Sequence, residues 1–161
     1  MVKVRIEEKR SFSVVGKKTR ISGQNNEEFG SFWKESHENG LIKKLHDMNQ
    51  NQPGEITNSN VFGISCVEKD PNNRAFYFFI ATESDKANSD SGLESYIVPA
   101  SKWAIFEGYG ELPMSLIEAE MYAFMEWLPS STYNHALAPE LEVYPSIDQK
   151  AVEFWLPIIE K

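Results

Sequence analysis

The feature that most limits what this chain can fold into is a repeated order of elements. In the first half, residues 2–6 and 11–15 alternate like strands, with Gly16 ending the second. Residues 27–39 then carry Phe29, Phe32, Trp33 and Ser36 at helical spacing and stop at Asn39-Gly40. Residues 41–48 add a further turn or two. Residues 61–67 and 74–81 are apolar runs too short and too rich in Phe, Tyr and Ile for good helices; Asp70-Pro71-Asn72-Asn73 joins them, which predicts a hairpin. Polar stretches at 49–60 and 82–92 read as loops.

The second half repeats this order. Residues 93–98 and 102–107 read as strands around Pro99, and Pro113 opens a helix with an apolar stripe of Ile117, Met121, Phe124 and Leu128, stopped by Pro129. Residues 140–144 and 151–159 predict a second hairpin around Pro145-Ser146-Ile147-Asp148. The spacings agree, since positions 65 to 77 and 142 to 154 each cover 12 residues. RAFYFFIATE therefore lies over AVEFWLPIIE.

Such a duplication predicts an α+β fold in one domain, residues 1–161, with repeats approximately at 1–83 and 93–161. Its strand-helix-strand-strand units pack about a pseudo-two-fold axis, as antiparallel sheets with helices on one face and a central groove on the opposite face. A doubly wound parallel sheet fits poorly, because the strands come in hairpin-like pairs and no glycine fingerprint of a nucleotide loop is present.

Charge narrows the function. With 16 basic against 24 acidic residues the net charge is −8, which repels a phosphate backbone, so direct nucleic-acid binding is not expected. No apolar run is long enough to cross a bilayer and the N-terminus lacks a signal-peptide core, so the expectation is a cytoplasmic protein with no membrane partner. Cys66 stands alone, which excludes an internal disulfide and reads as a small apolar strand residue. His37, His46 and His135 lack metal-ligand spacing and read as surface residues, and no metal or other cofactor is expected.

Strand alternation then assigns faces. Val152, Phe154, Leu156 and Ile158 suit packing under the helices, leaving Glu153, Trp155 and Pro157 on the other side. Leu141 and Val143 match the helix-facing set, so Glu140, Glu142 and Tyr144 are expected in the groove beside Trp155. Phe76 and Phe78 take the equivalent face by the repeat offset, and Trp103 alternates with Ala104. The result is a carboxylate in a ring of aromatics, which attracts cations through ring quadrupoles and charge. An unpaired carboxylate in a dry pocket would also have a raised pKa. The plainer alternative is a solvated Glu142 on an edge strand, with the tryptophans simply core.

Several segments carry a family resemblance. Residues 97–106 (IVPASKWAIF), 126–133 (EWLPSSTY), 139–144 (PELEVY) and 155–158 (WLPI) resemble, in order and spacing, the GyrI-like, AraC-type effector-binding domains. Thr132 departs from the Gly usual in that family, and Trp103 from its Tyr. The resemblance implies a pocket for small hydrophobic, often cationic, molecules. Its conserved glutamate matches Glu142, and Tyr144, Trp155, Trp103, Phe78 and Tyr122 are the further ligand-binding candidates.

Multidomain members of that family carry a DNA-binding helix-turn-helix. Here the first strand begins at once, so the resemblance implies a stand-alone sensor or sequestering protein that would influence transcription only through a partner. Nothing in the sequence requires more than a monomer. Two alternatives follow from the same resemblance. One is a hydrolase of strained-ring alkylating compounds using Glu142 with Tyr122 or Tyr144; the other is a module acting on a topoisomerase-like target. The first lacks a readable nucleophile and base, and no residue favours the second.

Overall fold

The structure, a computed structural model, describes residues 2–23, 27–51, 54–57, 61–84, 92–145 and 151–161. The first half supplies β1 (Lys3–Lys9), β2 (Phe12–Ile21), α1 (Glu27–Glu38), α2 (Leu41–Asn51), β3 (Phe62–Cys66) and β4 (Phe76–Glu83). The second supplies β5 (Glu94–Val98), β6 (Ser101–Tyr109), α3 (Met114–Met121), β7 (Tyr133–His135), β8 (Glu140–Val143) and β9 (Ala151–Glu160). The helical path of α3 continues through a π-helical stretch, Tyr122–Trp127, and on to Ser130, past the expected stop at Pro129.

All nine strands join one antiparallel sheet in the order β1-β6-β9-β8-β3-β4-β2-β5, with β7 added against β9. Exchanging β1 with β5, β2 with β6, β3 with β8 and β4 with β9 reverses this order onto itself, so the duplication is written into the topology. The two halves meet where β3 pairs with β8. The hairpins β3-β4 and β8-β9 form as the sequence predicts. By contrast, β1 and β5 leave their neighbours in sequence and pair with β6 and β2 of the opposite half. The turn expected at residues 146–148 lies outside the described residues.

β2 does not end at Gly16. It runs on to Ile21, because Gly16 marks a close approach and not a stop: a Cβ there would stand 2.7 Å from the Cα of Ala81 on β4.

The sheet has an apolar layer on each side. Under α1 and α2 lie Ile21, Phe76, Phe78 and Ile80, packed by Phe29, Phe32, Trp33, Leu41 and Leu45. Under α3 lie Ala104, Phe106, Phe154, Leu156 and Ile158. The far face buries Phe12, Val14, Phe62, Ile64, Trp103, Ile105, Leu141, Val143 and Trp155. Glu83 ties the segment 54–57 to this fold, accepting hydrogen bonds from the amides of Glu55, Ile56 and Thr57, and Ile56 packs against the far-face layer.

Two expectations about faces need correction. Cross-strand partners in an antiparallel ladder share a face, and Leu141 stands opposite Trp155 while Glu142 stands opposite Phe154. Leu141 and Val143 therefore point away from the helices, and Glu142 points toward them. On α3 and its π-helical continuation the residues pressed onto the sheet are Ser115, Ala119 and Ala123, whereas Met121 of the expected stripe is 51% exposed. Small residues let the helix approach closely; a Cβ on Gly108 would come within 2.6 Å of the Ser115 carbonyl oxygen.

Candidate ligand-binding site

A cavity of about 620 Å³ opens between α1 and α3, above the central strands. The groove thus lies on the helix-bearing face and not on the opposite one. Phe29 and Trp33, one turn apart on α1, form one wall, and Leu116, Ile117 and Glu120 on α3 form another. Phe76, Phe154, Glu140 and Glu142 belong to the floor, with Tyr144 just beyond the end of β8. Alternation on β8 places Glu140, Glu142 and Tyr144 on this one side.

Glu142 accepts a hydrogen bond of 2.5 Å from the Tyr144 hydroxyl, and the Trp33 ring stands edge-on to Tyr144 at 5.7 Å. No Lys, Arg or His among the described residues pairs with it. Enclosure by apolar walls pushes its carboxyl up to about 7, against the opposing influence of Tyr144 and the Trp33 indole. Tyr144 is itself raised well above the ordinary phenol range by burial and by the neighbouring carboxylate.

Glu140 is different. Arg74 grips it bidentately, at 2.9 and 3.1 Å, and the His135 Nε2 lies 2.8 Å from its second oxygen. Burial alone would raise this carboxyl, but the hydrogen bonds from His135 and Arg74 outweigh that and hold it below the usual range. His135 is therefore not a surface residue; its ring is 11% exposed and stacks on Phe124 at 6.4 Å. Glu120 makes no hydrogen bond or ion pair with a described residue. Burial, with Glu142 and Glu140 nearby, pushes it up to about 8.

The residues expected from the sequence divide into three groups. Glu142 and Tyr144 line the cavity. Phe78 lies behind its wall, with the rings of Phe29 at 5.0 Å and Trp33 at 6.4 Å packed on it edge-on, and Tyr122 packs against Phe106 at 6.1 Å. Trp103 and Trp155 do not join them: they touch each other at 5.6 Å in the far-face core, each at most 1% exposed. The cavity's further rings are Phe29 and Trp33 from α1, with Phe76 and Phe154 in the floor. Sequence reasoning missed Phe29, Trp33 and Glu120 as site residues, although Phe29, Trp33 and His37 recur at i, i+4 and i+8, the spacing of one helix face. Cys66 is half-buried on β3, and burial pushes its thiol up to about 12.

This α+β fold, a single antiparallel sheet built from two repeats, is that of the GyrI-like effector-binding domains. The profile of the Cass2 family, integron-associated effector-binding proteins, matches residues 5–158, and the chain belongs to that family. Among solved structures it is similar to SAV2435 bound to tetraphenylphosphonium, with a TM-score of 0.79 at 19% identity over 98% of this chain and 94% of that one. It is also similar to an integron cassette protein from the mobile metagenome of Vibrio cholerae, with a TM-score of 0.72 at 18% identity, covering 97% and 95%. The C-terminal domain of EcmrR gives a TM-score of 0.64 at 14% identity, covering 100% and 99%. No curated protein matches the sequence. No helix among the described residues is long and apolar enough to cross a membrane.

Proposed function

We propose that this protein binds a hydrophobic organic cation in the cavity between α1 and α3, as a sensor or sequestering protein whose effect on transcription would pass through a partner. The observation that carries this reading is Glu142: a carboxyl without a cationic partner among the described residues, held by Tyr144 in a hollow walled by Trp33, Phe29 and Phe76. Leaving a carboxylate there empty-handed is costly, and a cation that enters removes the cost while the aromatic faces add roughly 0.5 to 2 kcal/mol each. The hollow is broad and mostly apolar, so shape selection is coarse and charge does the discriminating.

The likeness to a protein that holds tetraphenylphosphonium supplies the natural probe. Tetraphenylborate has nearly the same size and shape with the opposite charge. Titration calorimetry at pH 8 is expected to show phosphonium binding and no borate binding. Equal binding of both would leave a greasy hollow with no role for the carboxylate, and binding of neither would remove this reading.

A further inference from the structure

Glu142 is enough to balance a monocation, and Glu140 is already paired with Arg74. That leaves Glu120 as a second carboxyl in the same hollow, on the helical wall while Glu142 lies in the sheet floor. It forms no hydrogen bond or ion pair with any described residue, and Arg74, the nearby cation, is engaged with Glu140. An amphipathic helix has no packing reason to turn a glutamate inward at this position. Ser115, Ala119 and Ala123 already make the contact with the sheet, and Glu118 and Glu126 on the same helix stay exposed.

Two carboxyls that share an enclosed space of low polarity cannot both ionise without compensation from outside. A monocation compensates one of them and leaves the other protonated. Two positive centres joined by a flat apolar frame would compensate both, with the frame lying along the rings of Phe29 and Trp33. Resting on the cation site proposed above, we infer that the cavity is selective for aromatic dications, one charged end at Glu142 and the other at Glu120.

Methyl viologen and N-methyl-4-phenylpyridinium test this directly, because they share a two-ring frame and differ by one positive nitrogen. At pH 7, methyl viologen is expected to bind at least about tenfold more tightly. Calorimetry in buffers of different ionisation enthalpy should show that it releases more protons than the monocation does. Glu120→Gln, nearly isosteric and checked for unchanged thermal unfolding behaviour on ligand-free protein at pH 5, should abolish the dication's advantage over the monocation and its extra proton release. Glu142→Gln should weaken both ligands. If Glu142→Gln weakens the monocation but Glu120→Gln affects the two ligands equally, or neither, the dication inference is overturned and the cation site stands. If neither ligand nor tetraphenylphosphonium binds the unaltered protein, the cation site itself is wrong.

Discussion

The Glu142 side chain lies across the backbone of Gly63, its ladder partner on β3, so closely that a Cβ at position 63 would stand 2.6 Å from the Glu142 Cγ and 2.6 Å from the Phe78 ring. Glycine at this position is what lets the carboxyl lie flat in the floor of the hollow, at the seam where the two repeats meet. Gly63→Ala is therefore expected to push Glu142 upward and cost about 1 to 3 kcal/mol of stability by overpacking. Cation affinity should fall by about tenfold or more, measured by quenching of tryptophan emission, and unchanged affinity would mean the carboxyl position is not critical.

Replacing the charge without the shape isolates the electrostatic part. Glu142→Gln should weaken tetraphenylphosphonium binding by roughly 1 to 3 kcal/mol, as a charge-assisted contact becomes a neutral one. Tyr144→Phe should cost less, because it removes a donor that steadies the carboxylate and leaves the carboxylate in place.

The raised carboxyls make two pH dependences with opposite signs. Glu142 titrates at about 7 and Glu120 at about 8 in the folded protein, above the ordinary value near 4.5, so the folded state holds more protons than the unfolded chain between those limits. Stability of the ligand-free protein is thus favoured at low pH and should decline as pH rises from about 5 to 9, then level off. Cation affinity should do the reverse, rising through the same window, since binding needs the ionised form. Chemical unfolding and calorimetry at half-unit pH steps check both, and parallel trends would contradict the assignment.

The tryptophans separate binding from packing. Trp155 is 1% exposed in the far-face core, so Trp155→Ala should cost about 3 to 5 kcal/mol of stability. Trp33, half-buried on the cavity wall, should lose ligand affinity on Trp33→Ala while costing less stability. A reversed pattern in urea melts and dye titrations would move the site to the other side of the sheet.

Glu140 has a structural part. Glu140→Gln removes the charge that pairs with Arg74 and one of the two acceptor oxygens that Arg74 and His135 share, so it should destabilise the protein by roughly 3 kcal/mol. Because Arg74 lines the same cavity, its uncompensated guanidinium should also weaken phosphonium binding; urea melts and calorimetry check the two effects, and unchanged stability would contradict the structural part.

The duplication was legible in the sequence because the two hairpins repeat at one spacing, and alternation alone put Glu142 and Tyr144 on one face of β8. What alternation cannot do is say which strands are neighbours. Placing Trp155 beside Glu142 needed the β8-β9 register, and the register sets Leu141 against Trp155 instead, which carries both tryptophans to the far side. The exchange of β1 and β5 between halves was invisible for the same reason, being a pairing of strands distant in the chain. Phe29 and Trp33 are legible only as residues at helical spacing, because a helix with rings at i and i+4 looks the same whether those rings meet a sheet or a hollow. His135 and Glu140 are only five residues apart, but Arg74 joins them across 66 positions.

The most direct test of the account is to locate a bound cation. In crystals grown with tetraphenylarsonium, the arsenic anomalous peak should appear between α1 and α3, within about 6 Å of the Glu142 carboxyl and the Trp33 ring. A peak against Trp103 and Trp155 on the far face, or a cavity that stays empty at saturating ligand, would contradict it.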